Sequence, residues 1–157
     1  MKSDALFVQD YYTESFAWCY GCGRLNAAGH HFRTRWDGDT TLTEYLPKPE
    51  HIAIPGFVYG GLIAALIDCH STGSASLALY RRDGHELGDQ VLPPRCMTAS
   101  LTVDYRKPTP LGTLLQVRGT IREMGTRKVV VESELLANGE ITASSRVVAV
   151  VAKTLSP

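Results

Sequence analysis

A carboxylate inside an otherwise apolar helical stretch is the first residue of this chain whose type and position suggest chemistry. Asp68 follows Leu62-Ile63-Ala64-Ala65-Leu66-Ile67 and precedes Cys69-His70. Burying a charge without a partner is costly. Asp68 therefore either accepts hydrogen bonds as a structural group, from nearby hydroxyls or His70, or faces a cleft as a general base or nucleophile. The same stretch opens with Gly60-Gly61, and no Ser, Thr, Asp or Asn stands directly before them as a cap. The first amides of a helix have no internal partner and sit at the positive end of its dipole. Two glycines there let another molecule come close to the backbone. A Gly-rich turn is the plain reading, and an oxyanion site is the functional one.

The spacing between these features adds a constraint. Gly61 and Asp68 share a helix face but lie about 10 Å apart along the axis, at roughly 1.5 Å per residue. That is too far for both to act on one carbonyl carbon. Two antiparallel copies of the helix would set Gly61 of one chain beside Asp68 of the other, so the spacing predicts a twofold dimer with composite sites. The stripe Gly61, Ala64, Ala65, Asp68, Thr72, Ala75 keeps that face small, leaving room for a ligand or a closely packed neighbour.

Other candidates carry less. Cys19-x-x-Cys22 is half of a zinc site, and His30, His31, Cys69 and His70 are the residues available to complete one. Two reduced cysteines in a turn is the plainer reading, and no metal is expected. His70 stands two positions beyond Asp68 and points from another helix face, which suits a buried or interface histidine better than an acid–base partner. His85 falls in a polar loop. The chain has no Gly-rich phosphate loop, dinucleotide fingerprint or Ser-His-Asp pattern.

The elements that must position these residues follow from periodicity. Residues 1 to about 18 read as a short amphipathic helix or an irregular arm, and 19–29 as turns. His31–Trp36 and Thr40–Leu46 flank Asp37-Gly38-Asp39 as a β-hairpin. Gly60 to about Arg81 is the long helix. Residues 83–95 form a polar loop, functional or mobile at that length. Met97–Tyr105, Leu114–Met124, Thr126–Leu136 and Glu140–Val151 alternate as strands, the last two joined by an Asn138-Gly139 turn. Tight turns between long strands require antiparallel pairing, so the expectation is an α+β layer: one helix on an antiparallel meander.

A length of 157 residues suits a single domain, 1–157, with 1–28 as an N-terminal arm. Sixteen basic and sixteen acidic residues cancel, so bulk charge favours neither nucleic acid nor an anionic membrane. The N-terminus lacks a secretory pattern, no stretch reaches the ~18 apolar residues of a membrane span, and four cysteines are too sparse for a disulfide scaffold. A reduced, cytoplasmic setting is expected.

At this point the sequence resembles a known family. Gly56-Phe57-Val58-Tyr59-Gly60-Gly61-Leu62-Ile63-Ala64-Ala65-Leu66-Ile67-Asp68 resembles the HGG…D element of hotdog-fold acyl-CoA thioesterases of the phenylacetyl-CoA thioesterase type. Met97 to Pro110 resembles that family's following strand, and Arg122 to Lys128 its next strand turn. Cys19-Tyr20-Gly21-Cys22-Gly23 with Asn26 matches an N-terminal element of one branch. The resemblance spans about residues 19–152. It implies a hotdog fold, one long central helix wrapped by an antiparallel sheet, paired into homodimers or homotetramers.

The resemblance also implies roles. Gly61 would donate its amide to the thioester oxygen, and Asp68 of the second chain would activate water or attack directly. Thr98 would orient that water or carboxylate, with Tyr59 beside them. Gly60, His51 and Thr72 would line the substrate. Arg106, Lys107, Arg127 and Lys128 would form one cationic cluster for the CoA phosphates. CoA would be part of the substrate, with no cofactor, nucleic acid or membrane as a further partner. Two departures stand out: Tyr59 replaces the family's His, and Ala53, with His51 near it, holds the spacing of an expected Asn. A non-catalytic hotdog that binds acyl-CoA or another small ligand is the alternative, with Tyr59 marking lost activity. A hydratase-like hotdog fits less well, because the dehydratase pattern is missing after Pro55-Gly56.

Overall fold

The computed structural model describes residues 5–153. Strands β1 (Thr34–Asp37) and β2 (Thr40–Tyr45) precede helix α1 (Gly60–Arg82), followed by β3 (Cys96–Tyr105), β4 (Leu115–Met124), β5 (Lys128–Ala137) and β6 (Glu140–Val151). Asn138 and Gly139 turn β5 into β6 with φ of 52° and 78°, the left-handed pair that a two-residue hairpin demands. Ahead of β1 the chain makes 3-10 turns at Val8–Tyr11 and Glu14–Phe16. The arm is thus irregular rather than α-helical, with its residues 1–4 outside the described ones.

All six strands form one antiparallel sheet in the order β1-β2-β4-β5-β6-β3. This corrects the expected meander. Strands β4, β5 and β6 follow as consecutive hairpins, but β3 pairs with β6 and takes the far edge. Alternation reveals a strand and its buried face; it does not say which neighbour satisfies the strand's hydrogen bonds.

Helix α1 packs on one face of this sheet, against β1, β3, β4, β5 and β6. Between Leu62 and Tyr80 every residue is buried except Ala64, Ala65 and Asp68. Leu62, Leu66 and Ile67 meet Phe32, Val58, Leu115, Val117, Leu135 and Val147 in the main core, each large apolar side chain contributing about 1.5–3 kcal/mol. By length and composition α1 would also suffice to cross a membrane, contrary to the expectation that no segment does. Yet 83% of its most apolar stretch is buried inside the protein, so that character serves the core.

His70 and Ser74 of α1 join a neutral network, whereas the buried Ser71 hydroxyl has no partner among the described residues. Thr43 Oγ1 lies 2.8 Å from His70 Nδ1, Ser74 Oγ lies 2.7 Å from Thr41 Oγ1, and Thr34 Oγ1 accepts from Gln9 Nε2 at 3.1 Å. His70 is therefore a core histidine. Full burial pushes its pKa down to about 3, well below the ordinary histidine value near 6.5. Because the unfolded chain takes up this proton at about pH 6.5 and the folded chain does not, stability is full above that pH. It is lost by about 1.4 kcal/mol per pH unit as pH falls toward 3. The thermal midpoint should drop between pH 6.5 and 5, with a shallower slope in His70→Asn; equal slopes for the two proteins would refute the assignment.

The polar loop 83–95 is tied back on α1. Tyr80 donates to Asp89 at 2.9 Å, the Val91 amide donates to the same carboxylate at 2.7 Å, and Ser76 donates to the Pro94 carbonyl at 2.6 Å.

Candidate active site

The three residues that interrupt the burial of α1, together with exposed Gly60 and Gly61 before them, reproduce the first part of the small-residue stripe. Thr72 and Ala75 continue the stripe but are buried. Thr72 donates its hydroxyl to the Cys69 carbonyl of its own helix at 3.2 Å. The structure thus leaves it outside the open face, buried and with its hydroxyl on its own helix backbone.

Helix α1 starts without a side-chain cap; Tyr59 is its N-cap residue, with extended backbone. The first turn therefore presents bare amides at the positive helix end. Tyrosine rings flank the two glycines. A Cβ on Gly61 would lie 2.7 Å from the Tyr59 ring, and one on Gly60 would lie 3.4 Å from the Tyr105 ring. Tyr105 Oη also donates to the Gly60 carbonyl at 2.7 Å. Sequence reasoning missed Tyr105; its signal was an aromatic residue at the end of the strand that leads into Arg106-Lys107. His51 is buried behind Tyr59, whose amide donates to the His51 carbonyl at 3.1 Å. Its Nδ1 accepts from the Lys48 amide at 3.0 Å, so it supports the helix start rather than opening onto it.

Asp68 is half-buried and ends in a hydrogen bond from Thr98 Oγ1 to its Oδ1. Thr98 sits at a β-bulge: it pairs with Ala149, Ser100 pairs with Val148, and Ala99 is the extra residue. A bulge locally twists a strand and re-aims its side chains, and here the hydroxyl it carries meets the helix carboxylate. Among the described residues no cation pairs with Asp68. The carboxylate thus keeps one oxygen free of that bond, on a face lined by alanines and glycines.

Strand β3 is a sheet edge beside this face, and Met97, Leu101 and Tyr105 are 45%, 39% and 53% exposed on it. An exposed edge carrying apolar side chains is a ready template for another strand. The Asp68–Thr98 pair and the Gly60–Tyr105 pair therefore occupy opposite ends of one edge strand, paired with β6 on one side only.

The basic residues do not form one cluster within the chain. Arg106 donates its amide to the Thr142 carbonyl, whereas Lys128 pairs with Val150. The two sites are eight residues apart on β6, about 26 Å at roughly 3.3 Å per residue. This corrects the grouping expected from sequence, which had no register to measure by. Arg106 hydrogen-bonds Ser144 and Lys107 pairs with Glu140 at 3.4 Å, near Tyr105. Arg127 and Lys128 instead line a groove with Met97, Val150 and Lys153, near Thr98. Lys153 was not singled out in the sequence.

A family described as Thioesterase superfamily matches residues 55–144 of the chain. The acyl-coenzyme A thioesterase THEM4 of Xenopus laevis is 32% identical over 96 residues, 61% of this chain and 37% of that protein. The chain thus matches little more than a third of the length of that curated relative. A thioesterase superfamily protein from Shewanella loihica PV-4 is 42% identical, with 92% of this chain and 99% of that chain covered and a TM-score of 0.69. The E. coli PaaI protein of the phenylacetic acid degradation operon shares the fold at 13% identity, covering 79% of this chain and 81% of its own, with a TM-score of 0.63.

Proposed function

Because this chain belongs to the thioesterase superfamily, we propose that it hydrolyses an acyl-CoA thioester to the free acid and CoA, in sites formed between two copies of itself. One observation carries the reading. The charged side chain on the open face of α1 is held by Thr98 at an unpaired strand edge, within reach of whatever pairs with that edge.

Antiparallel pairing of β3 with its own copy, centred near Leu101-Thr102, would bring Thr98 of one chain opposite Tyr105 of the other. Asp68 then faces the Gly60-Gly61 amides of the second copy, which removes the separation of about 10 Å within one helix. The same operation brings Arg127, Lys128 and Lys153 of one chain toward Arg106 and Lys107 of the other. The phosphate-binding cluster expected from sequence would then exist only across chains.

In such a site the thioester oxygen takes the Gly61 amide, whose helix dipole favours the negative charge that develops there. Asp68 draws a proton from water as the water oxygen bonds to the carbonyl carbon; the carbon–sulphur bond breaks and the proton passes to the departing CoA sulphur. Alternatively, Asp68 attacks the carbonyl itself, CoA leaves, and water then cleaves the resulting anhydride to free the acid and Asp68. A thioester is electrophilic enough for one donor and one carboxylate to suffice. Thr98 fixes one carboxylate oxygen and leaves the other for the reaction. Tyr59 packs over Gly61 in place of the family's His, where its ring borders the substrate. The free cysteines support a reducing, cytoplasmic setting.

The test is a panel of short, aromatic and long acyl-CoAs assayed for thiol release. Turnover of at least one class is the expected result. Binding across the panel without turnover would overturn the proposal in favour of the non-catalytic binder, the reading that Tyr59 in place of His favours. Thr98→Val should lower kcat roughly 10- to 100-fold, the cost of one hydrogen bond to a charged group, and Thr98→Ser should restore most of it. A slow Thr98→Ser variant would assign Thr98 to packing instead.

A further inference from the structure

The fold brings a third thiol to the CxxC turn. Cys69 Sγ on α1 lies 3.9 Å from Cys19 Sγ, and the sulphurs of Cys19, Cys22 and Cys69 all lie within 4.8 Å of one another. Cys22 and Cys69 are 3% and 4% exposed, while Cys19 reaches partly to solvent. From these distances we propose that Cys19, Cys22 and Cys69 bind a thiophilic d10 metal ion, zinc(II) foremost, with a fourth position open on the Cys19 side.

Three features of the site support this, each by a different route. Zinc–sulphur bonds of about 2.3 Å place ligand sulphurs about 3.8–4.0 Å apart, so the spacing needs little adjustment. The turn is built to admit the third sulphur: a Cβ on Gly21 would lie 2.3 Å from Cys69 Sγ, so only glycine lets α1 approach there. Gly23 closes the turn by donating its amide to the Cys19 carbonyl at 2.7 Å.

The third feature is electrostatic. Arg95 is half-buried, stacks on the Tyr12 ring and places Nη2 3.9 Å from Cys22 Sγ. Among the described residues no carboxylate pairs with it. A half-buried guanidinium without an acid partner calls for another anion. Three thiolates around a divalent cation leave one net negative charge, which Arg95 neutralises; the thiol protons pass to solvent as the metal–sulphur bonds form.

The ion would fasten the N-terminal arm to the turn of α1 that carries Asp68, one residue before Cys69. Its role is to hold the arm in place, independent of the hydrolysis proposed above. Sequence alone left the CxxC pair without a second pair, because Cys69 is 47 residues beyond Cys22 and only the fold closes that gap.

The experiment uses the full chain, reduced and desalted after exposure to zinc(II). One zinc per chain should be retained by the protein and by Cys96→Ala, which alters the thiol outside the cluster, and lost in Cys22→Ser and Cys69→Ser. Zinc at 100-fold over its Kd should raise the thermal midpoint by about 5–10 °C. Should the serine variants fail to fold, cadmium(II) added to the unaltered protein should give the thiolate-to-metal charge-transfer band in the near ultraviolet. A folded, reduced protein that shows no such band and retains no zinc would overturn the proposal, as would zinc retained equally by the two serine variants.

Discussion

Asp68→Asn is expected to slow thioester hydrolysis by about 10²–10⁴-fold, the range over which a general base contributes, on whichever acyl-CoA the unaltered protein turns over. Asparagine keeps the shape of the side chain and an oxygen to accept the Thr98 hydroxyl, but it neither draws a proton from water nor attacks a carbonyl. Asp68 has no cationic partner among the described residues and sits on the half-open face of α1. Removing its charge therefore breaks no ion pair, and the thermal midpoint should stay the same or rise slightly. Free-thiol release and a thermal melt, measured on the same preparation, separate the two effects. A variant within threefold of the unaltered protein on every substrate, with an unchanged melt, would remove Asp68 from the chemistry.

The second large effect concerns where the two halves of the site reside. Asp68→Asn disables the base and Gly61→Val blocks the amide, since a Cβ there would lie 2.7 Å from the Tyr59 ring. Each variant alone should be inactive. When the two are unfolded together in equal amounts and refolded, random pairing makes half of the dimers mixed. Each mixed dimer holds one site with both Asp68 and Gly61 intact, so activity should return to about a quarter of the unaltered level. If both groups of a site came from one chain, no pairing could restore it. A refolded mixture no more active than the sum of its parts would therefore refute the composite site. A protein that stays monomeric at high concentration would refute it sooner, because β3 would then have no second copy to pair with.

The legible part of this protein is what periodicity and local chemistry encode. Strand alternation placed β4, β5 and β6 to within two or three residues, and the Asn138-Gly139 turn followed from the need for two positive φ angles. The unbroken apolar character of Leu62–Ile67 marked α1 as central, and the costs of burying a charge marked Asp68 as the residue to explain. Even the pairing of Asp68 with Thr98 was suggested by resemblance before the bulge at Ala99 supplied its physical cause.

What the chain alone did not carry was every relation between residues distant along it. Nothing in the alternation of β3 says that it passes β4 and joins β6, because a strand exposes the same donors and acceptors to any neighbour. That one choice makes β3 an edge, sets Tyr105 against Gly60, and separates Arg106-Lys107 from Arg127-Lys128 by most of the sheet. Thr72 fell on the right helical face by count, yet the burial of that turn spent its hydroxyl on the backbone. Cys69 was one of four residues that could have joined Cys19 and Cys22, and the absence of a side chain at Gly21 is what lets it meet them. Local pattern determined the elements and the residues that stood out on them; the long-range hydrogen bonds and packing of the sheet decided which of those residues meet.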